Sequence, residues 1–289
     1  MTGDLSFRIP LGEWVDVVVD WLTSTFDLLF DVIKAVLLAL FDGLELALTA
    51  PPNWVVALAL SVVALYVKGW RFGLGALAGF LLVQGVNQWD NAMATLALVL
   101  VASVIALVIG IPLGIWAARN DRVSATVRPV LDFMQTMPAF VYLIPVVIIF
   151  NAGVVPGIVA TITFALAPGV RFTELGIRQV DPEVVEAGHA FGSPPGRLLR
   201  QIQIPLALPT IMAGVNQVIM LSLSMVVIAG LTGAAGLGRP VVEALSRVNI
   251  ALGAEAGLSV VILAIYLDRV TSALSDRSPV ARALRRTAV

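Results

Sequence analysis

Cysteine is absent from the 289 residues, and histidine occurs once, at His189. The first absence excludes disulfides and thiolate metal sites; the second leaves no histidine cluster for a metal. Charge is also scarce: 13% of residues are charged against 59% hydrophobic, and mean hydropathy is +0.96. A soluble domain of this length has no interior large enough for that apolar content, so the chain reads as a polytopic membrane protein. The apolar runs are long enough for helices and show no dyad alternation, which excludes a β-barrel. The start carries Asp4, Arg8, Glu13 and Asp16 in place of a basic segment and an apolar core, so insertion by the spans themselves is expected, without a signal peptide. No Walker sequence occurs. Gly233, Gly236 and Gly238 are not followed by Lys-Ser/Thr, and no nucleophile–base set stands out. No enzymatic role, no metal and no nucleic-acid partner is expected of this chain.

What is present divides the chain into three. Residues 1–50 carry Asp16, Asp20, Asp27, Asp31, Lys34, Asp42 and Glu45 at spacings near three, four and seven, with Trp14, Trp21, Phe30, Leu37 and Phe41 between them. That pattern is an amphipathic helix with a continuous charged stripe, lying at the outer interface or packed on the spans. A first transmembrane helix at 28–48 is the competing reading. Pro51-Pro52-Asn53 breaks the pattern. Residues 51–275 then hold seven apolar runs: 54–67, 72–86, 92–118, 140–150, 155–167, 211–231 and 252–267. Polar loops are expected after Arg119 and over 171–207, and a Gly-rich loop over 233–249. Residues 276–289 form a basic tail. With the tail inside, 14 of the 18 basic residues fall on the inner side, leaving only Arg8, Lys34, Arg239 and Arg247 outside. This bias places the C-terminus and the 171–207 loop in the cytoplasm.

That loop is the most polar segment between spans. Asp181-Pro182-Glu183 predicts a helix start, with Asp as N-cap and Pro at the first helical position. The helix should stop near Gly192, and Ser193-Pro194 should restart one by the same logic. Ala187, Gly188, Ala190 and Gly192 keep one side slim enough to enter a groove on another protein. The residues alone leave an ordinary solvated helix pair equally open. His189, on a solvated helix, reads as incidental.

The string Glu186-Ala187-Gly188, three residues, Gly192, nine residues, then Ile202-Gln203-Ile204-Pro205 resembles the loop by which permease subunits of ABC importers dock onto their ATPases. Ile111-Pro112-Leu113-Gly114-Ile115-Trp116, Met134 through Leu143, and Pro209 through Gln217 are similar to the permease subunit of bacterial glycine betaine/proline importers, and the likeness runs from about residue 8 to 275. Gly188 stands where the loop motif usually has a second Ala, a change that loosens the helix by about 1 kcal/mol.

The resemblance implies an all-α polytopic protein with the type I ABC importer permease fold and a cytoplasmic coupling helix, sitting in the bacterial cytoplasmic membrane. It implies a path for glycine betaine- or proline-type osmoprotectants, driven by ATP and Mg bound in a partner ATPase present in two copies. It further implies an extracytoplasmic binding protein or domain and pairing of two copies of this permease. Glu186, Ala187, Gly188, Gly192 and Pro205 are the implied ATPase-coupling residues.

A translocation path is sought among polar groups within spans. Asn216, Met220 and Ser224 share one helical face at i, i+4 and i+8, and Gln135, Thr136, Phe140 and Tyr142 flank an expected kink. Helix–helix hydrogen bonding or simple packing is the rival for both sets. With 3 Tyr and 6 Trp, most of the Trp suited to interfacial anchoring, an aromatic cage for a quaternary ammonium ion is expected in a partner. Two rivals remain: an importer permease for another solute such as an amino acid, and a secondary transporter, which calls for buried ionisable residues or an inverted repeat.

Overall fold

The computed structural model describes residues 10–276, which form helices throughout, with no strand among the described residues. The basic tail from Arg277 onward and the chain start before Pro10 lie outside them. α1 (Leu11–Thr25) and α2 (Asp27–Thr49) replace the single amphipathic helix expected over the first fifty residues. The break falls at Phe26. Just before it, Thr23 and Ser24 donate their hydroxyls back to the carbonyls of Val19, Asp20 and Trp21, the local bonding that competes with helix continuation.

α3 (Asn53–Lys68) and α4 (Trp70–Gly85) form a tight hairpin about Gly69. α5 (Trp89–Arg119) is the longest helix. It runs without a charged residue from Asn91 to Ala118, and Asp90 and Arg119 at its ends complement its dipole. The loop expected after Arg119 is instead α6 (Asp121–Thr136), started by the Asn120 side chain, which accepts from the N–H groups of Arg122 and Val123 at 3.0 and 3.4 Å. α7 (Ala139–Phe150) meets α6 at 94° across Met137-Pro138. α8 (Val154–Arg178) does not stop at Ala167 as expected but continues as one helix through Arg171, Glu174 and Arg178.

α9 (Pro182–Ala190) and α10 (Pro195–Leu198) follow, then a π turn (Leu199–Gln203) and α11 (Ile204–Ser224). α12 (Val226–Leu231) is a short extension of α11. The expected Gly-rich loop contains α13 (Gly238–Arg247), and α14 (Ile250–Asp276) ends the described chain.

By length and apolar content, α5, α8, the run Pro195–Leu231 and α14 are each able to cross a membrane. The bent pair α6–α7 passes the same test only when its two arms are taken together. α5, α8 and α11 form the centre. Ala106, Ala165 and Val218 are fully buried between them, and the Ser103 hydroxyl donates to Ser222 at 3.0 Å. Alanine and glycine along α5 and α8 let the backbones approach, as expected where lipid offers no hydrophobic drive between helices. α14 closes one flank through Leu263 and Tyr266 against Phe80 and Trp89. α2 rests on the Trp89 half of α5, where Leu37 and Phe41 pack with Ala94, Leu98, Phe150 and Ile158.

Candidate functional site

At the opposite end of α5 from α2 lies a helical hairpin, α9 and α10, standing beyond the ends of α5 and α8. The Asp181 side chain accepts from the Glu183 N–H at 2.9 Å and Pro182 occupies the first turn, as the residues predict. The helix ends at Gly192, whose φ of +74° suits glycine. The Ser193 N–H bonds the Gly188 carbonyl at 3.1 Å and the Gly192 N–H bonds His189 at 2.8 Å, a Schellman closure. The second start falls one residue later than expected: Pro194 is the N-cap and Pro195 begins α10, so the Ser193 hydroxyl does not cap it.

Gly188 explains the close packing of the hairpin. It is buried, and a Cβ there would lie 2.4 Å from Leu198 Cδ1 and 3.0 Å from Ile202 Cδ1. Gly188, expected to loosen α9 and to keep one side slim for a groove on another protein, instead turns to its own chain and lets α9 sit directly on the α10–π segment. That segment leads without a break into α11. Pro205 has no N–H to give to the helical ladder, and the π turn immediately before it takes up the irregularity. The hairpin and the span α11 are therefore one continuous body.

Glu186 and Ala187 are exposed on α9, and Glu186 joins no ion pair with a described residue. Val184 (41% exposed) and Phe191 (90% exposed) add apolar surface to it. A cleft of about 440 Å³ separates the hairpin from α5 and α8, with Arg119, Arg178, Glu186, His189 and Gln203 on its walls. A slim, capped helix with one carboxylate, two apolar side chains and an adjoining cleft can dock on another protein.

A charged clasp holds the end of α8 from which the hairpin departs. Glu174, with 5% of its side chain exposed, accepts from the Ser124 hydroxyl at 2.7 Å and pairs with Arg128 at 2.8 Å and Arg178 at 2.9 Å. Arg178 also reaches Asp121 and the Ala117 carbonyl, and Arg171 pairs with Asp132. α5, α6 and α8 are joined by this network. Of its links only Glu174–Arg178, at i,i+4, is visible as a spacing; the others join residues 39 to 61 positions apart.

The residues expected to line a path fall in two places. Tyr142 is buried at the α6–α7 bend with Leu143, Ala160 and Met225, and its hydroxyl has no hydrogen-bond partner among the described residues. Phe140 is exposed, Gln135 is half-buried, and the Thr136 hydroxyl donates to the Phe133 carbonyl. On α11, Ser224 is exposed and bonds the Met220 carbonyl at 3.0 Å. Asn216 is turned to α14: its amide donates to Asp268 at 3.1 Å and its carbonyl accepts from Thr271. Asp268 and Thr271, missed as partners in the sequence, sit on α14 one turn apart.

Residues 110–278 match the family described as binding-protein-dependent transport system inner membrane component. The chain is 47% identical over 91% of its length to a Bacillus subtilis glycine betaine transport system permease protein, covering 94% of that relative. It is 44% identical over 93% of its length to the Escherichia coli glycine betaine/proline betaine permease protein, covering 76% of it. To a Listeria monocytogenes glycine betaine/carnitine permease protein it is 47% identical over 93% of its length, covering 97%. Among solved structures it resembles a chain of the inward-facing MetNI methionine ABC transporter. That likeness has a TM-score of 0.58 at 21% identity and covers 63% of this chain and 91% of the other. The chain has the type I ABC importer permease fold and belongs to the family of binding-protein-dependent transport system inner membrane components.

Proposed function

We propose that this chain is the transmembrane subunit of an ATP-driven importer for glycine betaine/proline-type osmoprotectants, and that α9 is the element on which its ATPase partner acts. The observation that carries the docking role is the close seat of Gly188 on Leu198 and Ile202, which makes the hairpin and α11 one body. A push on α9 moves α11 with it. The spans then alternate between outward- and inward-open arrangements, an equilibrium biased by ATP at one end and by a loaded binding protein at the other. The substrate class rests on the names of relatives 44–47% identical over most of the chain.

ATP and Mg belong to the ATPase in this reading, taken as two copies beneath two copies of the permease, and Glu186, Ala187, Gly188, Gly192 and Pro205 form the coupling element. The basic bias supports a cytoplasmic position for α9 and the C-terminus in a bacterial cell. α2, at the far end of α5, then lies at the outer interface, and α3, α4 and α7 supply short spans beside the long ones. For the path we favour the bend at Tyr142 with Gln135, Thr136 and Phe140, and half-buried Met220 with exposed Ser224 on α11; Asn216 serves α11–α14 cohesion.

The test is uptake of radiolabelled glycine betaine by vesicles holding this chain, its ATPase and its binding protein, with Glu186→Arg as the variant. Uptake that requires ATP and collapses in the variant, with the complex still assembled in the membrane, supports both parts. ATP-independent uptake refutes the importer reading. ATP-driven uptake of a different solute instead keeps the machine and changes its cargo.

A further inference from the structure

Between α4 and α14, on the flank away from α8, runs a groove of about 230 Å³ that the transport reading does not use. Its walls are Phe72, Ala76 and Phe80 of α4 and Ile262, Ile265 and Tyr266 of α14, and Gly75 forms part of its floor. It is almost wholly apolar except at one end, where Arg71 stands at the mouth with its guanidinium 5.6 Å from the Trp70 ring. Lys68 ends α3 one turn away, and Arg269 follows Ile265 by four residues on the same face of α14. Neither Arg71 nor Lys68 joins an ion pair with a described residue, and Arg269 has only Asp268 at 3.8 Å. α4 runs from Arg71 toward Gly85 and the Trp89 end of α5, which is the end opposite the hairpin, so the basic mouth lies toward the hairpin end of the bundle.

The geometry points to a binding site for one anionic phospholipid, with an acyl chain along the Gly75–Ile265 groove and the headgroup phosphate at Arg71, Lys68 and Arg269. An apolar groove opening on the lipid-facing flank suits hydrocarbon, and a tryptophan beside basic side chains is the composition of a membrane–water interface. Charge selects the headgroup: three cations and a single carboxylate favour a phosphate with net negative charge over a zwitterion. The groove does not suit the transported solute. Tyr266 stacks on Phe72 and meets Phe80 edge to face, and its hydroxyl donates to the Leu60 carbonyl, so these rings are engaged with one another and do not form an open cage. A lipid held here bridges the α3–α4 hairpin to the span α14.

Native mass spectrometry of the full chain, released from detergent after titration with phosphatidylglycerol or phosphatidylcholine of the same acyl chains, tests the site. The wild type should retain one phosphatidylglycerol per chain in preference to phosphatidylcholine, by about fivefold for each basic group engaged. Arg71→Gln should lose about fivefold of that preference while still holding a lipid. Gly75→Leu should expel both lipids; a Cβ at this position meets nothing within 4 Å, so the side chain fills the groove without disturbing the helix. Arg71 is exposed, and its replacement tests the headgroup even if the glycine variant is poorly made. Equal retention of the two lipids by the wild type overturns the proposal, as does undiminished phosphatidylglycerol on Gly75→Leu. So does displacement of the lipid by excess glycine betaine, or a Gly75→Leu chain that loses self-association and not lipid, which assigns the groove to the solute or to a second copy.

Discussion

α2 and α9 are both charge-bearing helices outside the long spans, at opposite ends of α5, and they are held in opposite ways. α2 carries five charged residues, none of them in an ion pair among the described residues, and is attached by a few large side chains, Leu37 and Phe41 foremost. α9 has almost no large buried side chain. It is held by the absence of one, at Gly188, and by capping at both ends. An amphipathic helix seated by side chains can rock or slide on its neighbours at modest cost. A helix seated by backbone proximity and built into the next span moves only with that span. The second arrangement transmits a push; the first suits a brace.

The contrast breaks most visibly at Phe41. It is 3% exposed, and Phe41→Ala should cost about 3 kcal/mol or more, seen as a lower unfolding temperature of the purified protein and earlier proteolysis between α1 and α3. A change under about 0.5 kcal/mol means that α2 is not seated by its side chains. Next is Gly188. Gly188→Leu puts a branched side chain where even a Cβ meets Leu198 at 2.4 Å, an overpacking cost of about 1–3 kcal/mol confined to the hairpin. The chain should insert and assemble but lose most ATP-coupled uptake. Gly188→Ala should be far milder, because the clashing atom is the movable tip of Leu198 and alanine recovers about 1 kcal/mol of helix propensity. Equal uptake by Gly188→Leu and wild type removes the argument for a rigid lever.

Glu174→Ala comes third. It leaves Arg128 and Arg178 facing each other without their shared carboxylate, and both are partly exposed, so the cost is about 1–3 kcal/mol. The expected signature is a fall in ATP-coupled uptake alongside lower stability, since the end of α8 that carries the hairpin keeps only its more exposed links to α6, Arg178–Asp121 and Arg171–Asp132. Glu174→Gln should keep the Ser124 bond and fall between the two. Lower stability with full coupling assigns the clasp to folding alone.

Much of this was legible in the sequence where the physics is local. The start of α9 follows from Asp181 and Pro182, and the fold follows from motif spacing that only a close relative preserves. The apolar run of α5 announces itself. What was not legible depends on distant partners. α8 continues through Arg171, Glu174 and Arg178 because α5 and α6 bring Asp121, Ser124, Arg128 and Asp132 to meet it, so residues that read as a polar loop are the last turns of a helix. The same holds for Asn216, whose partners lie more than fifty positions away. Gly188 could be read only as a small residue, because its lack of space is a property of Leu198.

The finest distinction between the two helices is electrostatic. Glu45, half-buried on α2, has its carboxyl pushed above the ordinary carboxylate range, first by burial and then by Asp42 three residues before it. A raised value in the folded state means that the neutral form is the one α2 accommodates. Its contribution is therefore fully present below the ordinary carboxylate range and is lost as pH rises through the raised value. Glu45→Gln supplies a permanently neutral side chain of the same size. At neutral pH it should raise the unfolding temperature slightly, and the gain should vanish as pH falls below about 4.3, where the wild-type carboxyl is protonated in the folded and unfolded chain alike. Glu186→Gln on α9, exposed and in no ion pair with a described residue, should leave unfolding at neutral pH unchanged, within about 0.5 kcal/mol. A Glu45→Gln gain that persists in acid shows that shape, not charge, is what α2 resists at this position. A loss at neutral pH means that the ionised carboxylate holds α2 in place, and the description of α2 as seated by apolar side chains alone then fails.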